Sequence, residues 1–525
     1  MKIVTAAEMR EIDRLTTEKH HVPSLTLMEN AGTAVARFVL RQCPESKRVL
    51  VICGRGNNGG DGFVTARKLQ QAGREATTIL LAAPEEVKGD AEKMLKLLPS
   101  PPDSIRAPQQ ADALVDLCDK TDVIVDAIFG TGFRPPLPEL AAKVVAIINS
   151  ARAPVISVDV PSGIDSNSFA LEQEGACRSN AIVTFTAPKP GIVFSALTPG
   201  PIVVADIGSP SETIHSDLGI EWNDPPPLLG EVRRLNSNKG LYGHVLVIGG
   251  SLGKTGAPVM ASLAALRVGA GLVTCALPKR LLPIVASFIP ELMTEPLEDN
   301  AVGVARRAFE GPGGYSPLVH GKKVVALGPG MGRDPDTEAA IHSFTKRCEI
   351  PLVLDADGLN AFQGTNLKLL DGATRPLVLT PHPGEMARML CKSVTEIEAD
   401  RVGIARSFAT RAKVVLVLKG WRTLIADPDG HIWVNTTGNP GLAKGGSGDV
   451  LTGMIAGMIA QYPQQISDAV RAAVYLHGLA ADCALTAQTE RTMLATDVIA
   501  AFPQAFRLVQ QNDKFTWIQG GAQRR

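Results

Sequence analysis

Short apolar runs rich in β-branched residues recur along this chain, with helix-period stretches between them. In the first half they are RVLVICG (48–54), ATTILL (76–81), DVIVDAIFG (122–130), PVISVDVP (154–161), AIVTFTA (181–187) and PIVVADIG (201–208). FVTARKLQQAG (63–73) is one of the intervening helices. Strands apolar at nearly every position are buried on both faces, and their alternation with helices predicts a parallel sheet covered on both sides. Residues 209–232 break the rhythm with three consecutive prolines, scattered charge and weak periodicity, and read as an interdomain connection. The alternation restarts with HVLVIGG (244–250), LVTCALP (272–278), KVVALGPG (323–330), PLVLDADG (351–358), PLVLTPHPGE (376–385), VVLVLKG (414–420), RTLIADP (422–428) and HIWVN (431–435). Two α/β domains follow, at 1–222 and 228–510, with a polar tail over 511–525; residues 508–525 are expected to fray.

Composition narrows the function classes. A chain of 525 residues, 45% apolar and 20% charged, has core enough for two domains. Lysine plus arginine balances aspartate plus glutamate at 53 each, so no bulk field favours nucleic acid or an anionic membrane. Aromatic residues at 4% also argue against a base-stacking platform. The eight cysteines (Cys43, Cys53, Cys118, Cys177, Cys275, Cys348, Cys391, Cys483) contain no CxxC and read as buried free thiols of a reducing compartment. The first twenty residues are charged and amphipathic, without a signal peptide's apolar core, and no stretch of eighteen apolar residues occurs. A cytoplasmic protein with no membrane or nucleic-acid partner is expected.

The densest chemistry lies at NPGLAKGGSGDVLTG (439–453), with five glycines in fifteen residues and a helix pattern beginning after Asp449. Glycines let backbone N–H groups converge, and the helix terminus adds partial positive charge, so this stretch predicts an anion cradle suited to phosphate. Asp449 beside it reads as a general base or ion ligand, or as an ordinary helix cap. Three strand ends in the first half also carry oxygen groups. They are GRGNNGGDG (54–62), Asp126 with the loop GTGFRPP (130–136), and DVPSGID (159–165). Such convergence suits a hard cation and a polar ligand, against the alternative of ordinary turn chemistry.

Over roughly residues 1–505 the chain resembles the fused bacterial NAD(P)H-hydrate repair enzymes, an epimerase domain joined to an ADP-dependent dehydratase domain. In the first half the resemblance rests on LMENAG (27–32), GNNGGDG, VDAIFGTG and SVDVPSGID. In the second it rests on KGLYGHVLVIGGSLGKTGAP, ALGPGMGRD, LDADGLNA, LTPHPGEMARML, KGWRT and GNPGLAKGGSGDVLTG. It implies a Rossmann-like three-layer first domain and a ribokinase-like second one. By the same resemblance, Asn57, Asn58, Gly59, Gly60 and Asp61, with Gly130, Thr131, Gly132, Phe133, Arg134, Pro135, Pro136 and Asp159, hold the hydrated nucleotide in the epimerase site. Asn58, Asp126 and Ser162 hold a potassium ion. In the second domain Ala257, Gly330, His382 and Asp449 contact the hydrate. Lys419, Gly420, Trp421, Arg422 and Thr423, with Asn439, Gly445, Gly446, Ser447 and Gly448, form the ADP site, with Mg²⁺ accompanying the nucleotide. Lys444 inside the glycine loop either points to solvent or adds charge at the phosphate. The resemblance also implies a homo-oligomer whose substrates are the NADH and NADPH hydrates and ADP.

The residues suggest how such chemistry would run. Hydroxide is a poor leaving group, and transfer of a nucleotide phosphoryl to the hydrate oxygen makes it a good one. Asp449 would accept the hydroxyl proton while the loop N–H groups stabilise the migrating charge. Asp159 is the candidate acid–base group for inverting the ring carbon, or a carboxylate that caps the DVPSG turn. His382 either contacts the ligand or shapes its own turn. Two other classes fit parts of the pattern: a small-molecule kinase of the hydroxyethylthiazole type, and a non-catalytic nucleotide-sensing scaffold.

Overall fold

The computed structural model describes residues 1–198, 200–310, 314–364, 366–510 and 517–518, and the chain divides into two compact units between Leu218 and Gly219. The first unit carries a sheet of eight strands: β1 (Arg48–Cys53), β2 (Glu75–Leu80), β3 (Asp103–Ser104), β4 (Val123–Ala127), β5 (Val155–Val158), β6 (Ala181–Phe185), β7 (Ile202–Ala205) and β18 (Trp517–Ile518). Their order is β18-β7-β6-β5-β4-β1-β2-β3, and β1 to β7 are mutually parallel. Residues alternate between faces within each strand. Val49, Val51 and Cys53 pack against helices Ser24–Gln42 and Asn57–Gln71, while Leu50 and Ile52 face helices Ala113–Asp119 and Glu139–Ser150. This is the expected three-layer unit. Strand order reverses between β1 and β4, and in doubly wound sheets ligands bind at such a switch point.

The second unit holds ten strands: β8 (Ile220–Trp222), β9 (His244–Ile248), β10 (Leu272–Pro278), β11 (Met293–Leu297), β12 (Val324–Leu327), β13 (Leu352–Leu354), β14 (Leu377–Leu379), β15 (Val415–Leu418), β16 (Leu424–Ala426) and β17 (Ile432–Val434). The order is β11-β10-β9-β12-β13-β14-β15-β16-β17-β8, parallel from β11 to β15, with β16 antiparallel to both its neighbours. Its switch point lies between β9 and β12. One face packs against helices Gly256–Arg267, Ser447–Gln461 and Ile466–Ala484.

Two expectations need correction. The first domain does not reach 222, since the break between the units falls between Leu218 and Gly219, inside the expected connection of 209–232. Ile220 and Trp222 turn inward, and β8 pairs with β17 as an edge of the second sheet. Residues 508–510, expected to fray, belong to helix Phe502–Gln510, which ends where the polar tail was expected to begin. Of residues 511–525, Trp517–Ile518 pair with β7, and the rest lie outside the described residues. No helix among the described residues is long and apolar enough to cross a membrane.

The helix that carries Asp449 crosses helix Gly256–Arg267 with almost no space between them. A Cβ on Gly453 would meet the Ala261 carbonyl oxygen at 1.9 Å. Gly453→Ala therefore forces two backbones apart, at about 3 kcal/mol. We expect the thermal midpoint of the second unit to fall by about 6–12 °C, read by calorimetry.

Candidate active sites

In the first unit the GRGNNGGDG stretch is not a loop ahead of a helix. The helix begins at Asn57, so Asn58 to Asp61 lie in its first turns. Gly59 makes that entry possible, since a Cβ there would meet the Gly54 carbonyl oxygen at 1.8 Å. Asn58 is buried and neither of its amide atoms has a hydrogen-bond partner. A Cβ on Gly130 would lie 3.0 Å from Asn58 Oδ1 and 3.2 Å from Asp159 Oδ2, so the ends of β1, β4 and β5 meet at one point. Asn57, Gly132, Arg134, Pro135 and Pro136 are exposed around it, Asp61 and Phe133 are half-buried, and Arg134 reaches Asp165 at 3.1 Å.

Asp126 and Ser162 are bonded to each other. The Asp126 carboxylate accepts from Ser162 Oγ, from Ser162 N at 2.9 Å and from Ser157 Oγ at 2.9 Å. It is therefore Asp126 that caps the DVPSG turn. Asp159, the expected alternative cap, accepts instead from Lys189 Nζ at 2.7 Å, Thr184 Oγ1 at 3.1 Å, Thr131 N at 3.0 Å and the Thr131 hydroxyl. Burial works to raise the Asp159 carboxyl, but the Lys189 charge and these bonds outweigh it and hold it below the usual range. Asp61 is pushed well up, by burial and then by Asp159 and Asp13. Asp13 itself rises to about 6, through burial and Asp159 against the opposing pull of Lys189. Lys189, Thr184 and Asp13 were not among the expected site residues. The one signal available was a lysine within an apolar, proline-flanked stretch (FTAPKPG, 185–191), a place where lysine stays only when paired.

In the second unit a cavity of about 680 Å³ opens at the carboxyl ends of β13 to β15. Lys419, Gly420, Trp421, Arg422, Thr423, Asn439, Gly446, Ser447, Gly448, His382 and Asp449 line it, together with Lys444. Gly445 is exposed and not in the lining. Ala257 and Gly330 are also outside the lining, yet close to one another: a Cβ on Gly330 would lie 3.0 Å from Ala257 Cβ, at the β9/β12 switch point. Lys444 is exposed at the rim of the cavity, and its Nζ donates to the Arg491 carbonyl at 2.7 Å. Trp421 is 38% exposed at the cavity, with the Arg422 guanidinium 4.6 Å from its ring centroid.

Asp449 is not the helix cap. Gly446, in the left-handed region at φ 94°, holds that position, and Asp449 stands third in the helix. Beneath it lies a buried network that joins Lys419, expected at the nucleotide, to three residues absent from the expected set, Asp355, Glu385 and Thr452. Lys419 Nζ donates to Asp355 Oδ1 at 2.8 Å and lies 3.7 Å from Glu385, and Thr452 Oγ1 donates to Asp355 Oδ2 at 2.6 Å. A Cβ on Gly448 would stand 3.3 Å from that ammonium. Burial first, then the Asp355 charge, pushes Asp449 up to about 7; Lys419 opposes, and Asp357 and Glu385 add to the rise. His382 does shape its own turn, because Nδ1 accepts from Gly384 N at 3.0 Å. Burial and then Lys419 hold it below the ordinary histidine range, and burial takes His477, which also lines the cavity, down to about 4. Both imidazoles are neutral where Asp449 titrates.

A glycine-rich helix terminus facing a poised carboxylate, on one α/β unit, and a polar switch-point centre on another together define a two-centre enzyme with a phosphoryl-handling half. The family model described as NAD(P)H-hydrate dehydratase matches residues 245–504, and that of the YjeF-related protein N-terminus matches 24–191. The chain is 40% identical to the bifunctional NAD(P)H-hydrate repair enzyme of Moorella thermoacetica, covering 97% of this chain and 98% of that one. It is 36% identical to the enzyme of the same name from Thermofilum pendens, covering 98% and 97%. It is also similar, at 32% identity, to the ADP/ATP-dependent NAD(P)H-hydrate dehydratase of Bacillus subtilis co-crystallised with ATP and Mg²⁺, over 53% of this chain and 94% of that one, with a TM-score of 0.46. This chain belongs to the family of bifunctional NAD(P)H-hydrate repair enzymes.

If Asp449 acts as a base it must be ionised. Below about pH 7 the dehydration rate is expected to fall tenfold per pH unit, and above it to level off. A pH profile of kcat for the S hydrate checks this; a rate flat from pH 5 to 8 contradicts it.

Proposed function

We propose that the first unit interconverts the R and S hydrates of NADH and NADPH, and that the second dehydrates the S hydrate with ADP, releasing NAD(P)H, AMP and phosphate. Membership of the family supports the paired activities, and its curated relatives do not favour the thiazole-kinase or sensing-scaffold readings. The observation that carries the second activity is Asp449 in the first turn of a helix whose opening N–H groups face the same cavity as Lys419. Asp449 takes the hydroxyl proton of the hydrate. The N–H groups of Ser447 and Gly448 and the helix terminus stabilise charge on the phosphoryl as it passes to the oxygen, and Lys419 supplies a fixed positive charge beneath Gly448. The neutral imidazole of His382 can contact the hydrate without competing for that proton. Trp421 and Arg422 form the wall against the nucleotide, and Asn439 is fixed there by Asp482, which accepts from its Nδ2 at 3.0 Å.

Among the described residues no cluster of three or more His, Cys, Asp or Glu side chains is arranged to hold a metal. Both Asp355 oxygens are already taken by Lys419 and Thr452. Magnesium, which neutralises phosphate charge when bound, would be held mainly by nucleotide phosphates and water, a sparse protein shell normal for this ion. In the first unit the partnerless amide of Asn58 fits a potassium ion; Ser162 and Asp126, bonded to each other, would complete the expected ligand set, and the ion would order these oxygens. Asp159 is the acid–base group there, with Asn57 to Asp61 and the 130–136 loop around the hydrated ring.

Mixed hydrate isomers, ADP and Mg²⁺ test this reading through recovery of reduced-nicotinamide absorbance. The intact chain is expected to consume both isomers. Asp449→Asn should lose about 100- to 10,000-fold in turnover while its nucleotide affinity is preserved. Turnover equal to wild type removes Asp449 from the role of base.

A further inference from the structure

The first unit contains a buried cation that the expected site does not explain. Lys189 is 1% exposed, and its three N–H bonds have three acceptors: Asp159 Oδ1 at 2.7 Å, Thr184 Oγ1 at 2.8 Å and the Phe185 carbonyl at 3.2 Å. A lysine sealed from water at this depth loses several kcal/mol of hydration, so its place must be held by the surrounding structure. That hold comes from the N-terminus. Val4 N donates to the Pro188 carbonyl at 3.0 Å, Ala6 N donates to Asn167 Oδ1 at 2.8 Å, and Met9 and Ile12 pack against Ala187. The backbone is strained on both sides of the pair, with Asp159 and Thr186 each at φ 63°, in the left-handed region that non-glycine residues avoid. Strain of this kind persists only where neighbouring contacts over-determine the conformation, and it clusters at functional sites.

We propose that Lys189 is a positioning residue of the epimerase centre, clamped by the N-terminal helix Ala6–Glu18, and that its ammonium keeps Asp159 a carboxylate directed at the hydrated ring. The proposal rests on Asp159 being the acid–base group of that centre. Inversion requires the C–O bond to break, with the ring nitrogen's lone pair supplying the electrons and the oxygen leaving as water with a proton from Asp61, the neighbouring carboxyl held well above its usual range, to which the proton returns by way of Asp159 when water adds. Water then adds to the opposite face, the lone pair returns to nitrogen and a proton returns to the protein, so nothing is oxidised or reduced. Between the two steps the ring is a cation, and an ionised carboxylate beside it stabilises that charge. Lys189, Thr184 and Thr131 face Asp159 directly, and Asp61 and Asp13 are the other charges near it. Asp61 favours a proton, while Asp159, held by Lys189, is the charged member of the pair.

The test uses the full chain with purified R hydrate, ADP and Mg²⁺, following absorbance recovery above the uncatalysed background. Lys189→Met is expected to slow R-hydrate conversion about 100-fold, with S-hydrate conversion unchanged. The loss should deepen as pH falls through neutrality, because a buried Asp159 without its cation binds a proton there. A merely structural lysine would give the same loss at every pH, and that result overturns the proposal, as does wild-type conversion. Asp159→Asn is run alongside. If it is inactive while Lys189→Met behaves as wild type, this proposal alone fails. If Asp159→Asn converts the R hydrate normally, the reading of Asp159 fails and the proposal falls with it. Should Lys189→Met not fold, Lys189→Gln and Thr184→Val are expected to show the same pH trend, the latter more weakly, and a flat profile in them counts equally against it.

Discussion

Each unit of this chain is built around one lysine–aspartate pair buried at the carboxyl edge of a parallel sheet. In the second unit it is Lys419 with Asp355, at 2.8 Å, and in the first Lys189 with Asp159, at 2.7 Å. Neither pair adds much net stability, since the cost of removing two charges from water roughly cancels their attraction. Removing one partner, by contrast, strands a charge in the interior. The sheet geometry explains why both pairs lie where they do. Parallel strands are apolar along their length and can carry charge only at their ends, where loops and helix termini supply hydrogen-bond partners.

The two pairs serve opposite chemical needs. In the second unit the pair lies one layer below the reacting groups. Asp355 locks the lysine under Gly448 and, through Thr452, braces the helix that carries Asp449, while its charge helps raise Asp449 to about 7. A base of that strength is about half ionised at neutral pH, and basic enough to accept an alcohol proton in the transition state. In the epimerase centre proposed for the first unit, the aspartate of the pair is itself the group that would face the ligand. The neighbouring carboxyl Asp61 retains its proton, so one centre holds charged and neutral carboxyl groups together.

The α/β architecture was legible because the strands are short, unbroken apolar runs, and most expected segments contain a strand within a residue or two of its place. The strands missed lie at or near sheet edges and lack that signature: β3 is two polar residues, β11 contains Glu295 and Pro296, and β8 adjoins a proline run. The glycine loop and Asp449 were legible as well, since their chemistry is local to fifteen residues. The supporting layer was not, because it is assembled from distant segments. Asp355 and Lys419 are 64 residues apart, and Asp159 and Lys189 are 30 apart. Nothing in the spacing of one sequence announces such a pair. Local alternatives were settled only by coordinates: Gly446 rather than Asp449 caps the late helix, and Asp126 rather than Asp159 caps the DVPSG turn.

In the reaction proposed for the second unit, a carboxylate deprotonates an alcohol so that its oxygen attacks a nucleotide phosphoryl, after which that oxygen departs with phosphorus. The fate of the oxygen is directly measurable. S hydrate carrying ¹⁸O in its hydroxyl, turned over by the intact chain with ADP and Mg²⁺, should release orthophosphate bearing one ¹⁸O atom per turnover. Label recovered in water, with unlabelled orthophosphate, would mean that the hydroxyl is expelled without ever being phosphorylated. Asp449 would then not be the base, nor the glycine loop the cradle of a migrating phosphoryl.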